Sequence, residues 1–146
     1  MIKITMLCGL PGSGKSTWAN QNKREDTIVL SSDKIREELF GAEEVQGNPK
    51  QVFNLLYKRA EEALEQEKNV IIDSTNLSRA NREKFIKRFY PLADSLSIII
   101  FLEDAEECIE RQKKRDRKVP ASVIRRMAQQ MEIPTFDEGW DEIKIM

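Results

Sequence analysis

The octapeptide Gly9-Leu10-Pro11-Gly12-Ser13-Gly14-Lys15-Ser16 fits the pattern G-x-x-x-x-G-K-[ST] at every fixed position. An apolar run, Ile2 to Cys8, precedes it, and a helix-compatible segment, Ser16 to Gln21, follows it. A loop of this composition between a strand and a helix is the setting of a phosphate-binding loop. It fixes where a bound nucleoside triphosphate would point, and the other candidate residues are read against it. The glycines let the backbone fold back so that successive N–H groups face a β-phosphate. Lys15 can reach the β- and γ-phosphate oxygens, and the Ser16 hydroxyl is placed to ligate Mg²⁺. The helix from Lys15 to about Asn22 offers its N-terminal dipole to the anion. Gly9 to Ser16 and the adjoining Thr17 thus form the nucleotide-binding set. The loop alone does not separate kinases from GTPases or motor ATPases. No Asn-Lys-x-Asp guanine reader occurs, and a motor normally needs more chain.

Four further apolar runs read as strands after Lys3–Cys8. They are Thr27–Ser31, Asn69–Asp73, Ser97–Leu102 and Glu142–Met146. Between them the apolar residues recur with helical period. Asn48 to Glu67 is the clearest case, with Val52, Leu55, Leu56, Ala60, Ala63 and Leu64 on one stripe. Arg79 to Tyr90 carries Ala80, Phe85, Ile86 and Phe89. Asp104 is an expected N-cap with Glu107 three residues on, and Pro120 suits the first turn of the helix that carries Val123, Ile124, Met127 and Met131. Strands alternating with helices imply a mostly parallel sheet covered on both faces.

Composition narrows the function further. The 146 residues suit one domain, and the formal charge of −1, from 24 basic and 25 acidic residues, excludes a generally basic nucleic-acid binder. Contact with a polyanion must therefore use a local patch. There is no histidine, so proton transfer near neutral pH falls to a carboxylate or a lysine. The two cysteines, Cys8 and Cys108, have no C-x-x-C spacing, which speaks against a structural zinc site or a disulfide framework. No apolar run approaches a membrane span, and the first one leads into the phosphate loop rather than a signal-peptide plan. The reducing cytosol is the expected compartment.

Open α/β sheets place their sites at the carboxyl ends of the strands. Asp33, after the second strand, therefore falls on the rim that holds the phosphate loop and can accept a proton from an attacking hydroxyl. Arg36 lies one helical turn on and can hold an anionic group of the acceptor. The competing reading makes Ser32 or Asp33 a helix cap and Arg36 a solvated residue. Asp73 ends the third strand, where it can orient Mg²⁺, and Thr75 and Asn76 can contact the acceptor or shape the loop. The run Arg111 to Lys118 holds six basic residues and one acid. It reads as a lid of about residues 111–119, or as a solvated helix face. Within it Arg111 and Arg115, four residues apart on one helical face, are the expected partners of the donor phosphates. Trp18 and Trp140 read as packing residues and Cys8 as a small buried hydrophobe. Arg79, Arg82, Lys84, Lys87 and Arg88 read mostly as the wet face of a helix, with Arg79 and Arg82 able to reach the acceptor side.

The stretches Gly9–Trp18, Asp33-x-x-Arg36, Val70–Leu77 and Arg111–Met127 together resemble the bacteriophage-type polynucleotide 5′-hydroxyl kinases and the small P-loop kinases around them. The resemblance implies a three-layer P-loop kinase fold with a five-stranded parallel sheet of order 2-3-1-4-5. It also implies transfer of the γ-phosphate of ATP to a hydroxyl. Asp33 would match the family's general base, Arg36 the arginine on the acceptor's 3′-phosphate, and Arg115 the lid arginine on the donor phosphates. The Asp73-Ser74 order departs from the phage pattern, and so does the segment Gly41 to Gln51, which would border the acceptor. Kinases of tRNA-linked serine, antibiotic phosphotransferases and zeta-type toxins share the same outline. The sequence therefore favours an ATP- and Mg²⁺-dependent kinase of a polynucleotide 5′-OH. The alternatives are a kinase of a nucleoside, sugar or antibiotic, and a non-catalytic nucleotide-binding switch.

Overall fold

The computed structural model describes residues 1–41, 48–115 and 119–146. Five strands form one parallel sheet. They are β1 (Lys3–Gly9), β2 (Thr27–Ser31), β3 (Asn69–Asp73), β4 (Ser95–Phe101) and β5 (Glu142–Ile145), in the order β2-β3-β1-β4-β5. This is the order implied by the resemblance. Register is set by apolar pairs, with Ile4 beside Val70 and Met6 beside Ile72 on one side of β1, and Ile4 beside Leu96 on the other. β1 and β4 are buried along nearly their whole length, as their unbroken apolar runs require.

Helices cover both faces: α1 (Lys15–Asn22), α2 (Ser32–Phe40), α3 (Pro49–Glu65), α4 (Arg79–Phe89), α5 (Ala105–Gln112) and α6 (Ala121–Gln130), with a 3-10 turn at Phe136–Glu138. The main core lies under α2, α3 and α4, where Ile35, Val52, Leu56, Phe85 and Phe89 meet Ile4, Met6 and Ile72. On the opposite face Ala19 and the half-buried Trp18 pack against Leu7, Ile71 and Phe101. A third cluster joins Leu10 of the phosphate loop to Cys108, Ile109 and Ile124 of α5 and α6. It sets the loop against α5 and α6.

Most boundaries fall within two residues of the sequence reading. β4 begins at Ser95, because Ser95 and Leu96 already pair with Lys3 and Ile4. α3 starts after Asn48, whose side chain accepts from the Lys50 amide at 3.0 Å. Pro120 stands as the N-cap of α6 rather than inside its first turn. Asp104 is the N-cap of α5 by position, but its side chain makes no capping bond. Two larger corrections concern arginines. Arg82, read as solvated, has no solvent exposure. α5 ends at Gln112, so Arg115 sits in the following turn, its amide bonded to Gln112 O at 3.1 Å, and does not share a helical face with Arg111. Gln112 closes this turn: its buried side-chain oxygen accepts the Val119 amide at 3.1 Å. The lid segment 111–119 and the stretch Gly41–Gln51 lie only partly within the described residues. No described helix is long and apolar enough to cross a membrane.

Candidate active site

The carboxyl ends of β1, β2 and β3 open into one cleft of about 1340 Å³. The phosphate loop forms its floor through Pro11, Gly12, Gly14, Lys15, Ser16 and Thr17. Gly12 and Gly14 take φ of +83° and +102°, left-handed values that favour glycine. At Gly12 a Cβ would also stand 2.7 Å from the Cys108 carbonyl, so the loop can pass α5 only without a side chain. Gly9, Leu10 and Ser13 belong to the loop but do not line the cleft. Gly9 is enclosed by Ser13 and Phe101, and Leu10 anchors the loop to the apolar cluster beneath it.

Lys15 is buried, and its Nζ donates to the carbonyls of Gly9 and Leu10 at 3.0 and 2.7 Å. Burial pushes its ammonium down from 10.5 to about 8, against the pull of Asp73 and Asp33, which favour the charged form. Among the described residues this cation has two carbonyl partners and no carboxylate bonded to it. Ser16 Oγ donates to Asp73 Oδ2 at 2.7 Å, which pairs a hydroxyl and a carboxylate beside the loop. Oxygen donors of this kind suit a hard divalent cation. The buried Ser13 hydroxyl has no partner among the described residues. The glycine cradle, the buried lysine and the Ser16–Asp73 pair fit a nucleoside triphosphate with Mg²⁺.

Asp33 and Arg36 line the same cleft as the loop. Ser31 caps α2 by accepting the Lys34 amide at 3.3 Å, so the helix does not need Asp33 for this. Asp33 Oδ1 instead accepts from Arg36 Nη1 at 2.9 Å. Arg36 side-chain exposure is only 14%, compared with 33% for Asp33. The pair lines the cleft together with Asp73, Ser74 and Thr75.

Asn76 has a different place. Its amide donates to the carbonyls of Leu7 and Ser74 at 2.7 and 3.2 Å, and it does not line the cleft. With φ of +50° it makes the turn that ties the end of β3 to β1. Arg111 and Arg115 both line the cleft. Arg111 donates to Gly12 O at 3.3 Å and pairs with Glu103 at 3.1 Å. Cleft residues that the sequence reading did not single out include Asn20 on α1, Phe53 on α3 and Arg126 on α6.

A family profile described as an AAA domain, AAA_33, matches residues 4–134. The chain belongs to this family. The domain is 31% identical over 148 residues to the transcription factor bHLH140 of Arabidopsis thaliana, covering 96% of this chain and 15% of that protein. It is 30% identical over 146 residues to the L-seryl-tRNA(Sec) kinase of Methanococcus maripaludis, covering 94% of this chain and 56% of the relative. Among solved structures, a chain of the Pnkp1/Rnl/Hen1 RNA repair complex superposes with a TM-score of 0.79 at 25% identity, covering 88% of this chain and 43% of that one. The AAA domain thus spans only part of each of these proteins. Its fold is that of the P-loop kinases.

Proposed function

We propose that this chain transfers the γ-phosphoryl group of ATP to a hydroxyl acceptor, with a nucleic-acid 5′-OH as the favoured acceptor. One observation carries the reading. The Asp33–Arg36 pair and the Lys15–Ser16–Asp73 cluster line the same cleft. A bare nucleotide switch has no use for a carboxylate–guanidinium pair facing its phosphate loop.

In this reading Lys15 turns from the Gly9 and Leu10 carbonyls to the donor's phosphate oxygens. Ser16 and Asp73 would hold the divalent cation, whose chemistry is to withdraw charge from the phosphoryl oxygens. Asp33 takes the proton of the acceptor hydroxyl as its oxygen bonds to phosphorus and the bond to the leaving ADP oxygen breaks. Arg36 steadies Asp33 through Oδ1, and its other N–H groups suit a phosphate on the acceptor. Arg111 and Arg115 would balance charge that gathers on the transferred group.

Support for a nucleic-acid acceptor comes from charge and shape. Among the described residues Lys15, Arg36, Arg111, Arg115 and Arg126 line the cleft against Asp33 and Asp73, in a chain of net charge −1. Phe53 adds a flat apolar surface of the kind on which bases stack. The relatedness to a tRNA-linked kinase and to a component of an RNA repair complex points the same way. Two buried free cysteines suit a reducing compartment such as the cytosol. The test is incubation with γ-labelled ATP, Mg²⁺ and a panel of 5′-OH RNA, 5′-OH DNA, nucleosides and sugars. Label on the oligonucleotides supports the reading. Label on nucleosides or sugars alone contradicts the acceptor, and label on nothing contradicts transfer.

A further inference from the structure

Among the described residues Arg82 is the largest side chain with no solvent exposure. Its Nε and Nη2 each donate to one carboxylate oxygen of Glu138 at 2.9 Å, and the side chains of both partners are fully buried. Glu138 also accepts from Trp140 Nε1 at 3.0 Å. Burial would raise the Glu138 carboxyl, but the bonds from Arg82 and Trp140 hold it below its ordinary value. Desolvating two charges can cost more than their attraction returns, and apolar replacements of a buried pair are often neutral or stabilising. Stability alone is therefore a poor reason for this pair.

Its geometry offers a better one. The third donor of the fork, Nη1, bonds the Asn76 carbonyl at 3.0 Å. The same carbonyl accepts from Cys8 Sγ at 3.3 Å. Asn76 holds φ of +50°, uncommon for a residue with a side chain, and its amide grips Leu7 O at 2.7 Å. One residue earlier, Thr75 O accepts the Gly9 amide at 3.0 Å. One residue later, Leu77 O accepts the Glu132 amide at 3.0 Å. The 74–77 turn is thus fastened to the last residues of β1 on one side and to the 132–138 segment on the other. Ser74 and Thr75 project from this turn into the cleft.

We propose that Arg82, oriented by Glu138, is a positioning residue that fixes the Asn76 peptide and so sets Ser74 and Thr75 against the acceptor. This rests on the reading that the acceptor lies beside Ser74 and Thr75. The donor loop touches this turn at Gly9 but has further anchors of its own, Gly12 against α5 and Leu10 in the cluster beneath it, so loss of the pair acts first on acceptor geometry. Lysine cannot replace Arg82, because it lacks the planar fork that serves Glu138 and Asn76 together.

The test uses the full chain with Arg82→Met/Glu138→Leu, Arg82→Lys and Glu138→Gln, with three measurements on each. These are thermal unfolding, ADP affinity, and KM and kcat for whichever acceptor the wild type phosphorylates. Amide exchange at Gly9, the reporter of its bond to Thr75, accompanies them. The double variant is expected to keep its Tm and its ADP affinity. Its acceptor KM rises about tenfold or more, and Gly9 exchanges faster while the amides of the β2–β3 ladder do not change. Arg82→Lys shows the same split, and Glu138→Gln, which keeps the shape of the pair, a weaker one. Wild-type acceptor KM and Gly9 exchange in the double variant would overturn the proposal. So would a fall in Tm, ADP affinity and acceptor turnover together, across all three variants. If the wild type labels no acceptor, the phosphotransfer reading fails, and Gly9 exchange alone then decides the positioning role.

Discussion

Lys15 gives the sharpest quantitative expectation. Burial lowers its ammonium from 10.5 to about 8. At about 1.36 kcal/mol per pH unit, this lowering corresponds to a few kcal/mol. The sign follows from proton counting. Below about pH 8 the side chain is charged in both the folded and unfolded chain, and the folded chain bears the full penalty. Between about pH 8 and 10.5 the unfolded chain holds more protons, so stability rises with pH across that window. A bound polyphosphate restores the charged form. At about pH 9 the free lysine is roughly 90% neutral, so binding ADP should take up about 0.9 proton; at about pH 7 it takes up about 0.1. The apparent affinity falls about tenfold between these pH values from this group alone. Titration calorimetry in two buffers of different ionisation heat reads the uptake directly. Lys15→Met should remove it and abolish most binding. Uptake near zero at about pH 9 in the wild type, or equal uptake in Lys15→Met, would refute the assignment of Lys15 as the buried phosphate ligand.

Other substitutions separate the parts of the site. Gly12→Ala places a Cβ 2.7 Å from Cys108 O at φ of +83°; it should lose about 1–3 kcal/mol of stability and bind ADP far more weakly, as read by chemical unfolding and calorimetry. Arg36→Ala should raise KM about tenfold or more for acceptors with a phosphate next to the target hydroxyl, while nucleosides, if used at all, show no change. Asp73→Asn should weaken the Mg²⁺ dependence of transfer, seen as a higher metal concentration at half-maximal rate, with the ADP affinity measured without metal unchanged.

The fold was largely legible in the residues because its signals are local. Each strand is a short apolar run, each long helix an apolar stripe, and the phosphate loop a contiguous motif. The place of Asp33 and Arg36 in the cleft was legible for the same reason, since it depends on a strand end and one helical turn. What was missed depends on partners distant in sequence. Arg82 sits among Arg79, Lys84, Lys87 and Arg88 and shares their composition, and only Glu138, 56 residues away, shows that it is buried. Asn76 reads as a polar loop residue until its amide is found on Leu7 O. The Arg111–Arg115 spacing suggested one helical face, but α5 ends at Gln112, whose buried side chain accepts the Val119 amide, a partner that no local pattern marks. Phe53 and Arg126 come to the cleft from α3 and α6 through tertiary packing, which no local pattern encodes.

The measurement that tests the account most directly is label transfer from γ-labelled ATP to a 5′-OH oligonucleotide by the wild type and by Asp33→Asn. The account predicts labelled oligonucleotide with the wild type. With Asp33→Asn it predicts a rate lower by about 10²–10⁴-fold, while ADP affinity stays at the wild-type value. Equal transfer by both proteins would contradict the role of Asp33, and no transfer by the wild type to any hydroxyl would contradict the phosphotransferase itself.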